Sequence, residues 1–526
     1  MSQTDSNVSR SMLPPFSLHK DEVCPSAIIV GAGLGGLATG IHLARHGWKV
    51  TIFERNRHAG GRMNVLEEAG FRIDMGPTML MMPEVLHEIF SVCNRDPKDY
   101  LPLTKLCPAY RILWPDGTAL DMGVDMATLV QQARKFEATD ATRIPALLAA
   151  MQAKYENARY RFIERSFNSP LDLLHPTTLV GLLKALPLES VYQMVSRYLA
   201  NEKLRQAFSF QTLYLGISPH RCPSIYALLP YVEMEFGVWF PMGGTYTLAR
   251  GLERLFLELG GQIRYCMPVE QITLQGRVAT GVRTSDGCEH LADAVICNLD
   301  LPTAYQKLIP NTLRRKYSDS ALAQKEYGCS GFLLYLGVQG LSLANLPHNS
   351  IVLSENYEEV LDDIFERRVL PTDPAMHLCV PTHTDPNLAP PGHHVLYILV
   401  PCPNTQSDIR WDTMAPILRD RTIGKLERLG LIPNLHKHIV FERWFTPVDF
   451  EQLYGCYAGA AYGGLTPTFL QSAYFRPHSR SEEIANLYFV GASTHPGGGV
   501  PIVLTSGKLT AELIRKDYSR AKSKTI

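Results

Sequence analysis

The N-terminal part of the chain alternates apolar runs with glycine-rich or polar turns. Residues 27–30 are Ala-Ile-Ile-Val, an apolar run that predicts a strand. A glycine-rich turn follows over residues 31–36, and residues 38–47 are expected to form a helix with Gly47 at its C-terminal cap. Residues 50–54 are a second predicted strand, which ends in Glu54. The order strand, turn, helix and strand predicts an α/β fold with a parallel sheet.

Similar apolar runs recur far along the chain, between turns that are rich in glycine. Further strands are predicted over residues 262–266, 294–298, 332–336, 394–400 and 487–490, with a hairpin near residues 285–287 and a C-terminal helix over about residues 503–515. No internal repeat or low-complexity tract interrupts this pattern.

The glycine-rich turn has the spacing of a dinucleotide-binding loop. Gly31, Gly33 and Gly36 form a G-x-G-x-x-G pattern that also contains Gly35. The first glycine permits the tight turn, the second lets the backbone approach a pyrophosphate, and the third lets helix and strand pack closely. Glu54 follows Gly36 by 18 residues, where an acidic side chain binds the ribose hydroxyls. Together these features predict dinucleotide binding.

The residues after Glu54 favour FAD over NAD. Arg55 comes next, followed by the run Gly60-Gly61-Arg62. Two adjacent glycines let the backbone stay close to an extended flavin cofactor, and Arg62 supplies a charged donor. The alternative interpretation is an ordinary turn at Gly60-Gly61 with an exposed Arg62.

The C-terminal end of the chain repeats the strand–turn–helix pattern. Gly491 ends the predicted strand, and a Gly/Pro-rich turn leads to the predicted helix. Such a turn places a helix N-terminus where a flavin pyrophosphate or pyrimidine edge could lie. His495 in this turn either faces the isoalloxazine ring or bonds only to backbone groups.

A resemblance to a known family extends from about residue 25 to about residue 514. Residues 60–64, 71–78, 206–216, 236–245 and 486–501 carry it, and the last of these stretches is the most specific. On these stretches the chain resembles the amine-oxidase-type flavoproteins. Within that group it is similar to the bacterial carotenoid desaturases, which act on phytoene or on its C30 relative 4,4'-diapophytoene.

The resemblance implies FAD as the cofactor and a long apolar polyprene or carotenoid as the substrate. The implied reaction introduces successive double bonds, in which a hydride passes to flavin N5 and a proton leaves the neighbouring carbon. Quinone or oxygen is the implied electron acceptor. The further FAD-binding residues that the resemblance implies are Gly76, Pro77, Thr78, Val269, Gly491 and Ala492.

The resemblance also implies how the chain is divided. A Rossmann-like FAD-binding domain is expected from three segments, residues 25–105, 241–310 and 455–526. Residues 106–240 are expected to form a helical insertion that faces the substrate and the membrane, and residues 311–454 a second, substrate-binding insertion. Together the insertions form an α+β part. Residues 1–24 are largely polar and are expected to be a disordered tail.

Catalytic residues are hard to recognise in this sequence, because the implied reaction needs little acid–base machinery. One candidate is His495, for its place in the C-terminal turn. The others are Asp74, Glu233 and Glu235, as proton acceptors or as groups that stabilise a cation, and the alternative for each of these acids is a paired or exposed side chain. A set of aromatic side chains either lines a substrate tunnel or packs in the core. These are Tyr155, Tyr160, Phe162, Phe208, Phe210, Tyr214, Tyr226, Tyr231, Phe236, Trp239 and Phe240.

The composition of the chain bears on whether it binds nucleic acid, a metal or a membrane, and on the compartment in which it works. Lys plus Arg equals Asp plus Glu at 51 each, so the chain lacks the basic footprint of a nucleic-acid-binding protein. The 11 cysteines contain no C-x-x-C pair, which favours reduced thiols in the cytoplasm and argues against a metal site. No apolar run is long enough for a transmembrane helix. Residues 170–186 are apolar and broken by prolines, so they form either a buried core helix or a segment in a bilayer interface. The lipid-dissolved substrate that the resemblance implies favours the second alternative, peripheral association with a membrane surface.

Two other functions fit the same fold. One is a carotenoid isomerase, or an oxygenase that acts on diapocarotenoids. The other is a non-enzymatic prenyl-binding escort protein, against which Gly60-Gly61-Arg62 and the C-terminal block argue. Some stretches resemble C30 enzymes and others C40 enzymes, with a slight preference for C30.

Overall fold

The computed structural model describes residues 24–167 and 189–525. The strands, labelled in chain order, are β1 Ser26–Val30, β2 Lys49–Phe53, β3 Val65–Glu68, β4 Phe71–Asp74, β5 Leu103–Lys105, β6 Tyr110–Leu113, β7 Ala119–Met122, β8 Trp239–Pro241, β9 Gln262–Arg264, β10 Val269–Gln275, β11 Val278–Thr284, β12 Glu289–Leu291, β13 Ala294–Cys297, β14 Ser330–Gln339, β15 Asn349–Val352, β16 Met376–Cys379, β17 His393–Cys402, β18 Ile439–Phe445 and β19 Leu487–Phe489. The α-helices are α1 Leu34–Ala44, α2 Pro83–Ser91, α3 Met126–Ala133, α4 Ala138–Ala158, α5 Val191–Ser196, α6 Glu202–Ala207, α7 Leu229–Phe236, α8 Tyr246–Glu258, α9 Leu301–Leu308, α10 Asp319–Ala323, α11 Tyr357–Asp362, α12 Trp411–Arg428, α13 Leu435–His438, α14 Pro447–Tyr454 and α15 Val500–Thr525.

Five strands form a parallel sheet in the order β19-β13-β1-β2-β9. Helices α1, α8 and α15 pack on one face of this sheet, and the antiparallel strands β10–β12 with α9 pack on the other. Because both faces are covered, the central strands β1 and β13 are almost wholly apolar. The five strands come from all three segments assigned above to the FAD-binding domain, whose exact bounds stay a prediction.

A second, larger sheet has the order β18-β14-β17-β16-β15-β6-β7. Its neighbours are antiparallel except for β15 and β6, which run parallel. Helix α12 covers one face, and strands β14 and β17 supply much of the core between them. Helices α3 to α6 contribute to a separate core that also takes in β6 and β7.

The first insertion differs from its expected helical form at residues 110–122. These residues form β6 and β7, which extend the sheet built by the second insertion. The period is that of a strand, because Tyr110 and Ile112 are buried while Arg111 between them is only half-buried. A tight turn around Asp116 and Gly117 then reverses the chain. The two insertions therefore share one sheet.

Two element boundaries also differ from the sequence-based expectation. Helix α15 continues to Thr525, because no glycine or proline interrupts the polar residues after Arg515. Strand β9 ends at Arg264, since the chain turns at Cys266, whose φ is 52°. The apolar segment 170–186 and the polar tail lie outside the described residues, apart from residue 24 of the tail. No helix among the described residues is long and apolar enough to cross a membrane.

The close packing of α1 against α15 predicts that an added methyl group on Gly507 lowers the stability of the protein. A Cβ on Gly507 of α15 would lie 2.6 Å from Ala38 Cβ and 3.0 Å from Thr39 N. We expect Gly507→Ala to lower the free energy of unfolding by about 1–3 kcal/mol through overpacking. The matched control is Gly424→Ala in α12, where a Cβ meets nothing within 4 Å and the change should stabilise by about 0.5–1 kcal/mol. Thermal or denaturant unfolding measures both, and equal effects would contradict the packing argument.

Candidate active site

A cavity of about 810 Å³ begins at the carboxyl edge of the parallel sheet and continues over the seven-stranded sheet. We call its two halves the sheet-edge part and the apolar part. The sheet-edge part lies where parallel α/β sheets bind ligands, outside the carboxyl ends of the strands. Of the residues predicted to bind cofactor, Gly31, Gly33, Gly35, Glu54, Arg55, Gly60, Gly61, Arg62, Gly76, Pro77, Thr78, Val269, Gly491 and Ala492 line the cavity.

Gly36 lies behind this lining and has a packing role. A Cβ on Gly36 would lie only 2.3 Å from the carbonyl oxygen of Gly31, so α1 can approach β1 only with glycine here. Gly61, with a φ of 60°, brings a second loop to the first, because its Cβ would lie 3.2 Å from Gly33 Cα. The two glycine-rich loops therefore touch through their backbones.

Glu54 holds the turn after β1 and still faces the cavity. Its Oε2 accepts a hydrogen bond from Ala32 N at 2.7 Å, and its Oε1 accepts one from Asn56 N at 2.9 Å. The residue is 5% exposed. Since each carboxylate oxygen can accept two hydrogen bonds, one lone pair on each oxygen remains for a ligand hydroxyl.

Two arginines tie the sheet-edge part to the segment that follows β18. Arg55 Nη2 donates to the carbonyl of Gln452 at 2.8 Å. Arg62 Nη1 donates to the carbonyl of Ala461 at 3.1 Å, and Arg62 Nη2 lies 3.6 Å from the buried carboxylate of Asp300. Both guanidinium groups therefore join the cavity wall to a distant part of the chain while they line the cavity.

Asn298 is a site residue that the sequence analysis did not identify. It follows β13, and its Nδ2 donates to the carbonyl of Val490 at 3.0 Å. A Cβ on Gly33 would lie 2.6 Å from Asn298 Oδ1, and one on Gly491 would lie 2.9 Å from Nδ2. The amide therefore fills the space where the loops after β1, β13 and β19 meet. Its position at the end of a predicted parallel strand was the available signal.

The apolar part of the cavity is bounded by the seven-stranded sheet and by side chains from the helical region. Its lining residues include Met79, Met81, Phe210, Leu213, Tyr214, Leu333, Ile351, Leu353, Tyr357, Met376, His377, Tyr397, Leu399 and Tyr462. Of the aromatic residues proposed for a tunnel, Phe210 and Tyr214 are in this lining, whereas Tyr160 is 66% exposed at the surface. The other members of that set do not line the cavity.

Sequence comparison connects this geometry with known proteins. Residues 34–515 match the sequence profile of the flavin-containing amine oxidoreductases. The chain is 37% identical over 499 residues to the 4,4'-diapophytoene desaturase (4,4'-diaponeurosporene-forming) of Staphylococcus aureus strain Newman. The alignment covers 94% of this chain and 99% of that protein. This chain belongs to the carotenoid desaturase family of flavin-containing amine oxidoreductases.

Two solved structures have a fold similar to that of this chain. A putrescine oxidase with bound putrescine superposes with a TM-score of 0.64 at 16% identity, covering 94% of this chain and 99% of that one. An oxidoreductase from Methanosarcina mazei gives a TM-score of 0.63 at 16% identity, covering 93% and 100%. The predicted Rossmann-like α/β fold and the predicted FAD cofactor are thereby confirmed.

The residues of the sheet-edge part fit FAD. At Gly33 and Gly35 an added Cβ would come within 3 Å of the Asn298 side chain, so only glycine lets this loop lie against Asn298 while its backbone lines the cavity. Helix α1 starts at Leu34 beside the cavity, and its first N–H groups have no acceptor within the helix. Glu54 has lone pairs left for ribose hydroxyls. Phosphate, ribose and backbone contacts are thus all available.

Asp74 does not line the cavity, contrary to its prediction as a catalytic candidate. Its Oδ2 accepts from Thr245 N at 2.6 Å, and its Oδ1 accepts from Tyr246 N at 3.0 Å. Thr245 is the N-cap residue of α8 and Tyr246 is its first residue, so the carboxylate caps that helix. Burial raises the pKa of Asp74 above its ordinary value, and these two backbone hydrogen bonds oppose the shift.

His495 also lies away from the cavity lining. Its ring is buried and packs edge-on against Phe167 at 4.9 Å between centroids. The Nε2 atom is 2.8 Å from the carbonyl of Arg165, and burial lowers the pKa of His495 to about 4. Of the two alternatives for this residue, the structure therefore shows the backbone contact.

Glu233 lies one layer behind the cavity wall. Its Oε2 accepts from the Tyr110 hydroxyl at 2.6 Å and from Gln211 Nε2 at 3.3 Å. Burial raises the pKa of Glu233 to about 7. Glu233 itself does not line the cavity, whereas its neighbour Tyr214 does. Within residues 24–167 and 189–525, no three His, Cys, Asp or Glu side chains are arranged to hold a metal ion.

The helix-capping geometry of Asp74 leads to a prediction that separates structure from chemistry. Asp74→Ala leaves the Thr245 and Tyr246 N–H groups without acceptors and should lower the free energy of unfolding by about 2 kcal/mol. Asp74→Asn keeps one acceptor but sets its NH2 group against the second backbone N–H, so it should also lose some stability, while the folded enzyme keeps the turnover of the wild type. Unfolding curves and turnover of both variants provide the measurement. A stable but inactive Asp74→Asn enzyme would instead assign the carboxylate to the chemistry.

The position of Asn298 predicts its effect on cofactor affinity. Asn298→Asp is isosteric, but it places a negative charge in the cavity beside Gly33 and Gly35, and it removes the donor to Val490. We expect FAD affinity to fall about tenfold or more, measured by flavin release and fluorescence. The matched control is Asn404→Asp, since Asn404 Nδ2 also donates to a backbone carbonyl, that of Gly328, and does not line the cavity. Equal losses in both variants would contradict a specific role for Asn298.

Proposed function

We propose that this chain introduces double bonds into a C30 polyprene of the 4,4'-diapophytoene type in carotenoid biosynthesis. One observation carries the proposal, namely that the FAD cradle and the apolar part form a single continuous cavity. The 37% identical relative is a 4,4'-diapophytoene desaturase, which favours the C30 substrate over 15-cis-phytoene. The apolar lining suits a hydrocarbon that offers no polar group for recognition.

In the proposed arrangement each part of the sheet edge has a role toward FAD. The backbone of Gly31, Gly33 and Gly35 and the start of α1 contact the pyrophosphate, while Glu54 accepts hydrogen bonds from the ribose hydroxyls. Val269 lies beside the adenine. The loops that carry Gly60 to Arg62, Gly76 to Thr78 and Gly491 to Ala492 follow the rest of the cofactor.

The protein's contribution to the reaction is positioning and exclusion of water. Bound FAD supplies the acceptor for the hydride that leaves the substrate. Leu333 and Leu399 on the sheet face, together with Met79 and Leu213 from other parts of the lining, hold the chain of the substrate in an apolar environment. A fixed alignment of one C–H bond with the cofactor lowers the entropic part of the activation barrier. An apolar lining excludes water, which would otherwise react with a cationic substrate.

Membrane-surface association in the cytoplasm is part of the same proposal. The short turns over residues 469–475 expose Phe469, Leu470 and Phe475, with Leu470 70% exposed. The turn Ala473–Phe475 packs beside Arg159–Ile163, where Tyr160 is also exposed. A cluster of exposed apolar side chains of this kind suits a bilayer interface, which is where the substrate would be dissolved. A quinone in that membrane, or oxygen, would then accept the electrons.

The test is desaturation in lipid vesicles with purified, FAD-loaded protein. One set of vesicles carries 4,4'-diapophytoene and the other 15-cis-phytoene, each with oxygen or with a quinone under anaerobic conditions. We expect a red-shifted polyene that is lighter by pairs of hydrogens, formed faster from the C30 substrate, and co-sedimentation of the protein with the vesicles. Unchanged substrate in every arm would reject the proposal, while an unchanged mass with altered geometry or a gain of oxygen would favour the isomerase or oxygenase alternatives.

A further inference from the structure

His377 lies on the face of the seven-stranded sheet that bounds the apolar part of the cavity. It belongs to β16, where it is paired with Ile351 of β15 and Leu399 of β17. All three side chains line the cavity. The imidazole is therefore placed among the aliphatic groups that would contact a polyprene. No element of the sequence pattern had singled out this histidine.

The hydrogen bonds around His377 determine which ring nitrogen carries the proton. Asn349 Nδ2 donates to the carbonyl of Ala109 at 3.1 Å, which turns its Oδ1 toward His377. His377 Nε2 is 3.0 Å from that Oδ1, so Nε2 must be the donor. In the neutral ring Nδ1 then has a free lone pair, and no described residue bonds to it. Asn349 is fully buried, so the arrangement is held firmly.

His377 is the most basic group in the apolar part. The other titratable side chains of this part are Tyr214, Tyr357, Tyr397 and Tyr462. Burial raises the pKa of each of these tyrosines, so they stay neutral, and a neutral phenol is a poorer proton acceptor than imidazole. The carboxylates that line the cavity are Glu54, Glu270 and Asp300, and all three lie in the sheet-edge part.

We propose that Nδ1 of His377 accepts the proton that leaves the substrate during desaturation; the proposal rests on the function proposed above. One carbon loses a hydride, with its electron pair, to FAD. The C–H bond on the neighbouring carbon then breaks, its electron pair becomes the new C=C bond, and the proton bonds to Nδ1. The resulting imidazolium gives the proton to water once the product has left.

A weak base is sufficient for this step and has an advantage. A proton beside a developing carbocation is strongly acidic, so even a poorly basic imidazole can accept it. Burial lowers the pKa of His377 to about 4, which keeps Nδ1 unprotonated at neutral pH and ready for each turnover. The facing groups are Tyr397, whose ring centroid lies 6.1 Å away, and His348, and neither places a negative charge beside the ring.

The first test compares His377→Gln with the wild type in the vesicle assay. Glutamine keeps a donor for Asn349 but has no atom that takes up a proton, so kcat should fall about 100-fold or more while KM changes little. His377→Phe, which keeps the ring volume, provides a second variant. The control is His383→Gln, an exposed histidine outside the cavity, for which the wild-type rate is expected. Deuterium at the proton-losing carbon should slow His377→Gln more than it slows the wild type.

A second test does not depend on turnover. In ¹³C,¹⁵N-histidine-labelled holoenzyme, the NMR signals lost in His377→Gln should report an Nε2–H tautomer that does not titrate between pH 6 and pH 8. An Nδ1–H tautomer, a titration near pH 6.5, or wild-type kcat in both His377 variants would overturn the assignment. An inactive wild type would reject the proposed function itself, whereas an active His377→Gln enzyme would reject only the role of this histidine.

Discussion

The site depends on the close approach of backbone segments at the carboxyl edge of the parallel sheet. Asn298 stands where the loops after β1, β13 and β19 meet, and it replaces the Cβ atoms that Gly33, Gly35 and Gly491 lack. One amide therefore satisfies the carbonyl of Val490 and fills the space between three loops. The start of α1, whose first N–H groups have no acceptor within the helix, lines the cavity at the same place.

The nucleotide-binding unit around β1 and β2 could be predicted from the sequence because its signals lie close together in the chain. The apolar run before Gly31, the spacing to Gly36 and the acidic end of β2 each depend on neighbouring residues, so they identify the nucleotide-binding unit without knowledge of the rest. The residues around Gly60 and Gly491 lie far apart in the chain, and the family resemblance was needed to bring them to one cofactor. Strands β6 and β7 show the limit, because β6 joins the larger sheet by pairing with β15, which lies more than 200 residues further along the chain.

Side-chain roles were harder to predict than the fold. Asp74 and Glu233 are acids near the right motifs, yet one caps α8 and the other is bonded to Tyr110 behind the cavity wall. A carboxylate in the sequence looks the same in either setting, since only the folded environment decides what it faces. His377 was missed for the converse reason, because its place in the cavity follows from strand register with Ile351 and Leu399 rather than from any motif around it.

The order of strands in the parallel sheet has a consequence for the synthesis of the chain. Strand β1 pairs with β13, and the other edge of β13 pairs with β19, roughly 190 residues later. At about 5–20 residues per second, a ribosome needs about 10–40 s to supply that partner after β13 has emerged. During this interval the backbone N–H and C=O groups on that edge of β13 are unpaired, and they can form hydrogen bonds with a strand of another chain. The side chains of β13 are apolar, which favours such association. Folding of the nucleotide-binding unit is thus completed only after β19 has been synthesised, and chaperone protection matters most in the interval before it.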